Sequence, residues 1–221
     1  MEWSTLSMIS DKERRELLAV ARRRKFRRNE VLFHEGDPAN SLHLIESGHV
    51  SVRVTTGAGD SVTLAVLGPG ETVGELALLE ADPSKAVRSA TVTALEGCET
   101  LSLQRDRFDA LRQQYPRVDR VLAELLANEV RRLNGRLLEF LYLPADKRVL
   151  RRLATLARAY DDGRTRPVAV PLTQEVIASL AGTSRPTTNQ ALRAVEEAGI
   201  IAIGRSKIEI LNPAALVRKA R

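Results

Sequence analysis

A chain of 221 residues, 43% of them hydrophobic but only eight of them Phe, Trp or Tyr, has room for two modest domains with cores of Leu, Val, Ile and Ala. Its one cysteine, Cys98, excludes an intrachain disulfide framework and any iron-sulfur cluster or structural zinc that needs four thiolates from one chain. The formal charge of +6 is uneven: residues 146–221 hold fourteen Lys and Arg against seven Asp and Glu, a net of +7, which leaves −1 for the rest.

The first thirty residues include Asp11, Glu13, Arg14, Arg15 and the run Arg22, Arg23, Arg24, Lys25, with no apolar stretch suited to a signal peptide or membrane span, so a cytoplasmic location is expected. Short strands are predicted over 31–33, 41–46, 49–55, 61–67, 91–95 and 99–103. They are separated by the turn sequences Gly36-Asp37-Pro38, Ser47-Gly48, Gly57-Ala58-Gly59-Asp60 and Gly68-Pro69-Gly70. Such spacing predicts a β-barrel of the jelly-roll type, interrupted by one helical stretch over 75–80, and a first domain over 1–115. Cys98 falls in a strand-like run, where it serves as a small hydrophobe.

From Arg105 the period turns helical, and beyond Pro116 a long helix runs to about Leu143, where Pro144 stops it. Leu126, Val130, Leu133, Leu137 and Phe140 recur at alternating spacings of four and three, the seam of a dimerising coiled coil, with Asn128 and Asn134 beside it. The same stripe could instead pack on its own barrel. Residues 116–144 are assigned to a dimerisation helix and hinge.

The domain over 145–221 opens with Asp146 as cap of a helix over 147–160, followed by a polar loop over 161–166 and a strand over 168–172. Thr173 caps a helix over 174–181, Gly182-Thr183 makes a tight turn, and Ser184 caps a second helix over 185–198 that Gly199 ends. Ile201 and Ile203, then Ile208 and Ile210, flank Gly204-Arg205-Ser206-Lys207 as a hairpin does. Two helices about a glycine turn and a basic-tipped hairpin make a winged helix-turn-helix, in the segment whose positive field suits the phosphates of double-stranded DNA. The chain is thus read as α+β.

Three stretches in order, Gly74-Glu75-Leu76-Ala77-Leu78-Leu79, Arg88-Ser89-Ala90-Thr91 and Leu172-Thr173-Gln174-Glu175 through Thr183-Ser184-Arg185-Pro186-Thr187, resemble the catabolite activator and FNR family of bacterial transcription regulators. The resemblance runs from about Leu17 to Leu211. It implies a homodimer that binds a palindromic operator under control of a cyclic nucleotide, cyclic AMP favoured over cyclic GMP, and requires no cofactor. The alternative is the same DNA-binding dimer with a vestigial or differently liganded pocket.

The ligand residues implied are Gly74, Glu75, Leu76, Ala77, Arg88, Ser89 and Asn134. A helix start at 75–77 presents backbone N–H groups to the phosphate, Gly74 permits close approach, Arg88 and Ser89 bind its oxygens, and Glu75 accepts from the ribose hydroxyl. The loop over 81–87 is about three residues longer than in cyclic AMP-binding relatives, and the base-reading pair on the long helix is matched here by Leu133 and Asn134, of which Leu133 cannot hydrogen-bond a base. The family's oxygen-sensing branch needs several cysteines and is excluded, while His34, His43 and His49 lack a haem-ligand spacing.

For DNA, Arg185 in the first turn of the recognition helix is the leading base reader, with Thr187, Asn189 and Gln190 on the same half, the caps Thr173 and Ser184 near phosphate, and Arg205 and Lys207 at the wing tip. Pro186 and Gln190 replace a base-reading Glu and a second Arg of well-known relatives, so the preferred half-site differs. The loop over 161–166 matches the place where relatives touch RNA polymerase. No arrangement of nucleophile, base and orienter is present, and an enzyme is not expected.

Overall fold

The computed structural model describes residues 9–80 and 82–221. The chain folds into two compact units, one of residues up to Ser61 with Ala65–Arg132, the other of Val62–Leu64 with Leu133–Arg221.

The first unit opens with α1 (Asp11–Val20), closed at its start by a capping box in which Ser10 and Glu13 exchange side-chain-to-backbone hydrogen bonds. Eight strands follow: β1 (Arg22–Phe26), β2 (Val31–Phe33), β3 (Ser41–Ser47), β4 (Val50–Thr55), β5 (Ser61–Leu67), β6 (Thr72–Val73), β7 (Thr91–Ala94) and β8 (Cys98–Gln104). They form two four-stranded sheets, ordered β1-β8-β3-β6 and β2-β7-β4-β5. The expected barrel is therefore a jelly-roll of two sheets rather than one closed hydrogen-bonded cylinder. Ile45, Val50, Val92, Ala94 and Cys98 are buried in one core cluster with Phe26 and Phe33. Burial pushes the Cys98 thiol up to about 11, in keeping with a small core hydrophobe.

The strand β1, RRRKF, is not expected from its sequence, since four cations in a row carry no alternating apolar signal. It forms because it adds an edge to β8 in register, Lys25 opposite Glu99 and Phe26 opposite Cys98, and Arg23 and Lys25 both pair with Glu99. The stretch expected as helix over 75–80 is a 3-10 turn of only four residues, Glu75–Leu78, and a second 3-10 turn covers Pro83–Lys85. Ala81, part of the long loop expected there, lies outside the described residues, as do residues 1–8 of the expected first domain.

After α2 (Arg105–Gln114), the long helix α3 spans Val118–Tyr142, about 38 Å of rise. Its first turns are core: Val118, Val121 and Leu122 are buried with Leu17, Leu103 and Phe108. The boundary between the two units falls inside this helix, between Arg132 and Leu133.

The second unit holds α4 (Ala145–Ala159), β9 (Val168–Val170), α5 (Gln174–Ala181), α6 (Arg185–Glu197), β10 (Ile201–Gly204), β11 (Lys207–Ile210) and α7 (Pro213–Lys219). Asp146 proves to lie inside the first turn of α4, whose cap position is Pro144, so its carboxylate meets the positive end of the helix without capping it. The helix α4 packs on α5, α6 and α7, and Val149, Leu153, Ile177, Leu192, Ile208 and Leu216 are fully buried there. The unexpected α7 is announced by its own cap, Asn212 accepting from Ala215 N, with Pro213 at the first helical position.

Candidate ligand pocket and nucleic-acid interface

In the first unit the geometry centres on Arg88. Its side chain is only 5% exposed. Nη1 donates to the Ser41 carbonyl at 2.7 Å and Nη2 to Ser41 Oγ at 2.9 Å, while the guanidinium lies 4.0 Å from the centre of the Phe33 ring. Nε is buried with no hydrogen-bond partner. Burial opposes the charge of Arg88, and the carboxylates of Asp37 and Glu75 support it.

Gly74, at φ +83°, turns the chain between β6 and the 3-10 turn, and Nη1 of Arg88 also reaches its carbonyl at 3.4 Å. The expected helix N-terminus at 75–77 is not formed: a four-residue 3-10 turn has little macrodipole, and Ala77 N–H is already bonded to the Gly74 carbonyl at 3.3 Å. Anion attraction at this place rests on the Arg88 charge. Glu75 is half-buried, and desolvation holds its pKa above the usual carboxylate range, with Glu129 adding to the rise and Arg132 and Arg88 opposing it. Leu76 and Ser89 are exposed, Ala77 is buried, and Asn134 is exposed on α3.

Three residues here are missed by sequence reasoning. Ser41 and Phe33 hold the Arg88 guanidinium, and Arg105 donates to the Ala77 carbonyl at 2.8 Å and to that of Glu80, tying off the carbonyl end of the turn. None can be read locally, because each lies on another strand or helix.

Two of the histidines are accounted for by ordinary contacts: the His43 ring lies 3.1 Å from Thr100 Oγ1, and His49 pairs with Glu96 at 2.6 Å. Among the described residues no group of three or more His, Cys, Asp or Glu is placed to hold a metal ion, and no helix is long and apolar enough to cross a membrane.

In the second unit both helix caps form as expected: Thr173 accepts from Val176 N at 3.4 Å and Ser184 from Thr187 N at 3.3 Å. Gly182 takes the left-handed conformation between them, at φ +57°. Arg185 and Gln190 are exposed on α6, and Thr187 is bound to Ser184 through its hydroxyl. Asn189 is partly buried, and its Nδ2 donates to Gln174 Oε1 at 3.0 Å, so this side chain braces α6 against α5 and has less to offer a base than expected.

The hairpin β10–β11 turns through Arg205 and Ser206, with Gly204 opposite Lys207. Arg205 is exposed at the tip, and Lys207 is paired with Glu209 at 2.7 Å. Glu196 accepts from Ile203 N at 2.8 Å and so ties α6 to the hairpin. The loop over 161–166 is exposed and bonded within itself, Asp161 to Arg166 and Asp162 to the backbone of Arg164 and Thr165, contacts that lower the pKa of Asp162 to about 2.

On α3 the exposed residues Val130, Leu133, Leu137 and Phe140 lie on the stripe expected to dimerise, and Leu126 at its start is half-buried. The ring of Phe140 also packs within its own unit, on Gly182 and under the Arg148 guanidinium, 4.4 Å from the ring centre.

A family model described as the cyclic nucleotide-binding domain matches residues 23–115, and one described as the Crp-like helix-turn-helix domain matches residues 147–219. The chain is 34% identical to the cyclic AMP receptor protein of Thermus thermophilus, over 90% of this chain and 88% of that protein. It is 30% identical to the CRP-like cAMP-activated global transcriptional regulator of Mycobacterium tuberculosis, over 89% of this chain and 87% of that protein. Among solved structures, the catabolite activator protein of Thermus thermophilus aligns at TM-score 0.55 with 32% identity, covering 98% of this chain and 97% of that one. A CRP family transcriptional regulator of the same organism aligns at TM-score 0.73 with 28% identity, covering 89% and 96%.

Proposed function

The chain belongs to the catabolite activator and FNR family of bacterial transcription regulators, and on that premise we propose that it is a cytoplasmic homodimer whose binding to a palindromic DNA operator is controlled by cyclic AMP. The relatives that support this effector are named as responding to cyclic AMP. Residues 1–115 are the sensor, 116–144 the dimerising helix and hinge, and 145–221 the DNA-binding domain.

The observation that carries the sensor is Arg88, a buried cation with an unpartnered Nε beside a glycine-lined turn. An unsatisfied buried donor costs roughly 1–3 kcal/mol, and the oxygens of a cyclic phosphodiester would recover that cost while balancing the charge. In this assignment Gly74 keeps the approach open, backbone N–H groups of Glu75 and Leu76 and the hydroxyl of Ser89 line it, Glu75 accepts from the ribose hydroxyl and Asn134 is the residue assigned to the base, while Ala77 lends no free N–H, its own being bonded to the Gly74 carbonyl. The apolar stripe of half-buried Leu126 and exposed Val130, Leu133, Leu137 and Phe140 supplies the dimer seam. Each subunit then presents Arg185, Thr187 and Gln190 to base edges, Thr173, Ser184 and Arg205 to phosphates, and the loop over 161–166 to RNA polymerase. Lys207 and Asn189 contribute less, being engaged with Glu209 and Gln174.

One observation favours the second reading, a DNA-binding dimer indifferent to cyclic nucleotide: Nη1 and Nη2 of Arg88 are already committed to Ser41. Isothermal titration calorimetry of the dimer with cyclic AMP and, separately, cyclic GMP decides between them. Saturable binding that Arg88→Ala removes supports the sensor and names its ligand. Absence of binding to both leaves the ligand-independent regulator.

A further inference from the structure

Arg148 lies near the start of α4 and spends its guanidinium on three backbone carbonyls from two different places. Nη1 donates to Leu143 O at 2.9 Å, just past the end of α3, while Nε donates to Ala181 O at 3.0 Å, the last residue of α5, and Nη2 to Gly182 O at 3.1 Å, its C-cap. Both ends are helix C-termini, where unpaired carbonyls and the negative end of the dipole favour a cation.

The same guanidinium lies over the Phe140 ring, 4.4 Å from its centre, and that ring fills the space where any Cβ on Gly182 would stand. Gly182, with positive φ, is the pivot of the turn that launches α6, the recognition helix. Glu139, one residue before Phe140, pairs with both Arg151 and Arg152 of α4, so the last turn of α3 is held to α4 on a second side.

We infer that Arg148 is a positioning residue for DNA recognition: it locks the end of the long helix to the glycine turn of the helix-turn-helix, so that the separation of the two recognition helices is set by the dimer axis rather than by a loose hinge. The inference rests on the dimeric DNA-binding reading given above and not on its effector. Any rotation of the turn against the end of α3 must break one of the three hydrogen bonds and slide Phe140 off Gly182. A lysine presents one compact ammonium and cannot span three carbonyls in a plane or stack on a ring, so it does not replace Arg148.

A merely structural arginine would affect stability alone, whereas a positioning arginine controls tolerance of half-site spacing. Adding or removing one base pair between half-sites rotates one of them by about 34° about the duplex. The test uses the full-length dimer, a DNA site selected from a random library, and versions of that site with the spacer changed by one base pair, read by fluorescence anisotropy with and without saturating cyclic AMP. The wild type is expected to lose about tenfold or more on the altered spacers, as for a mismatched site. Arg148→Ala and Arg148→Lys are expected to lose less than about threefold between spacers while keeping dimer mass and binding to random DNA.

A second variant needs no change at Arg148. Gly182→Ala is expected to loosen spacing in the same way, because its Cβ would stand where the Phe140 ring lies and push that ring off the turn. A wild-type spacing penalty in Arg148→Ala overturns the inference, as does loss of random-DNA binding together with operator binding in both arginine variants. Failure of cyclic AMP to bind or to change affinity defeats the effector assignment alone, because the spacing comparison is then read in the series without it.

Discussion

A Cβ placed on Gly74 would collide with Nη1 of Arg88 and stand 3.0 Å from the Ser41 carbonyl that the same nitrogen binds. The guanidinium must move if position 74 gains even a methyl group, and the φ of +83° adds about 1–2 kcal/mol of backbone strain to any such change. Gly74→Ala is therefore expected to weaken cyclic AMP binding by at least about tenfold, the equivalent of one hydrogen bond to a charged group, with a lower melting temperature but an intact dimer. Calorimetric binding equal to wild type would show that the nucleotide does not approach Arg88 past this turn.

His43 sets an acid limit on the sensor. Burial first, then the charges of Arg88 and Arg24, push its pKa down to about 4, against roughly 6.5 for an unfolded histidine. Because the unfolded chain takes up a proton that the folded ring refuses, the contribution of His43 to stability is whole above about pH 6.5 and drains away between there and about pH 4. The ceiling of that loss is about 3 kcal/mol, of which about 2 is gone by pH 5. Urea unfolding at about pH 7.5 and about pH 5 checks it: wild type should lose about 2 kcal/mol more than His43→Gln across the interval. Equal losses would mean that the ring is protonated in the folded state.

The two cations proposed to face DNA should separate by what they read. Arg185 is exposed in the first turn of α6, and Arg185→Ala is expected to cost about 1–3 kcal/mol of operator binding and to relax preference at one base pair in a site selection. Arg205, exposed at the hairpin tip, is a phosphate contact in the proposed complex, so Arg205→Ala should weaken all sequences alike and reduce the salt slope by about one. A sequence-selective effect at Arg205, or an unchanged preference profile for Arg185→Ala, would exchange or cancel these assignments.

How far the sequence can be read depends on how local each signal is. The caps Thr173 and Ser184, the glycine turn at Gly182 and the end of α6 at Gly199 are set by neighbours within a few residues, and the helices they bound lie where expected, α6 ending one residue sooner. The strand β1 is invisible in sequence because what holds it lies far along the chain, the backbone ladder to β8 and the core that takes Phe26, with the exposed pairs to Glu99 and Glu46 adding little. The same holds for the sensor pocket. Arg88 can be singled out in the sequence, but Ser41, Phe33 and Arg105, which fix where its charge sits and close the turn beside it, come from other strands and helices and carry no motif of their own. Arg148 is one of many arginines in the basic third until the carbonyls of Leu143, Ala181 and Gly182 are seen around it.

The dimer seam gives the last prediction. Leu133 is 50% exposed in the middle of the apolar stripe of α3, at the point where the helix has left the core formed by Val118, Val121 and Leu122. A side chain so placed is costly to leave in water, and in a two-fold dimer it meets its own symmetry mate, so one substitution changes both sides of the contact. Leu133→Asp brings two carboxylates together in a desolvated seam, where like charges repel and neither has a partner. The variant is expected to be folded and monomeric by light scattering, with operator affinity down by at least about a hundredfold, because each subunit then binds one half-site without its neighbour. A dimeric mass with normal operator affinity would move the interface off this stripe and leave the exposed leucines of α3 to another partner.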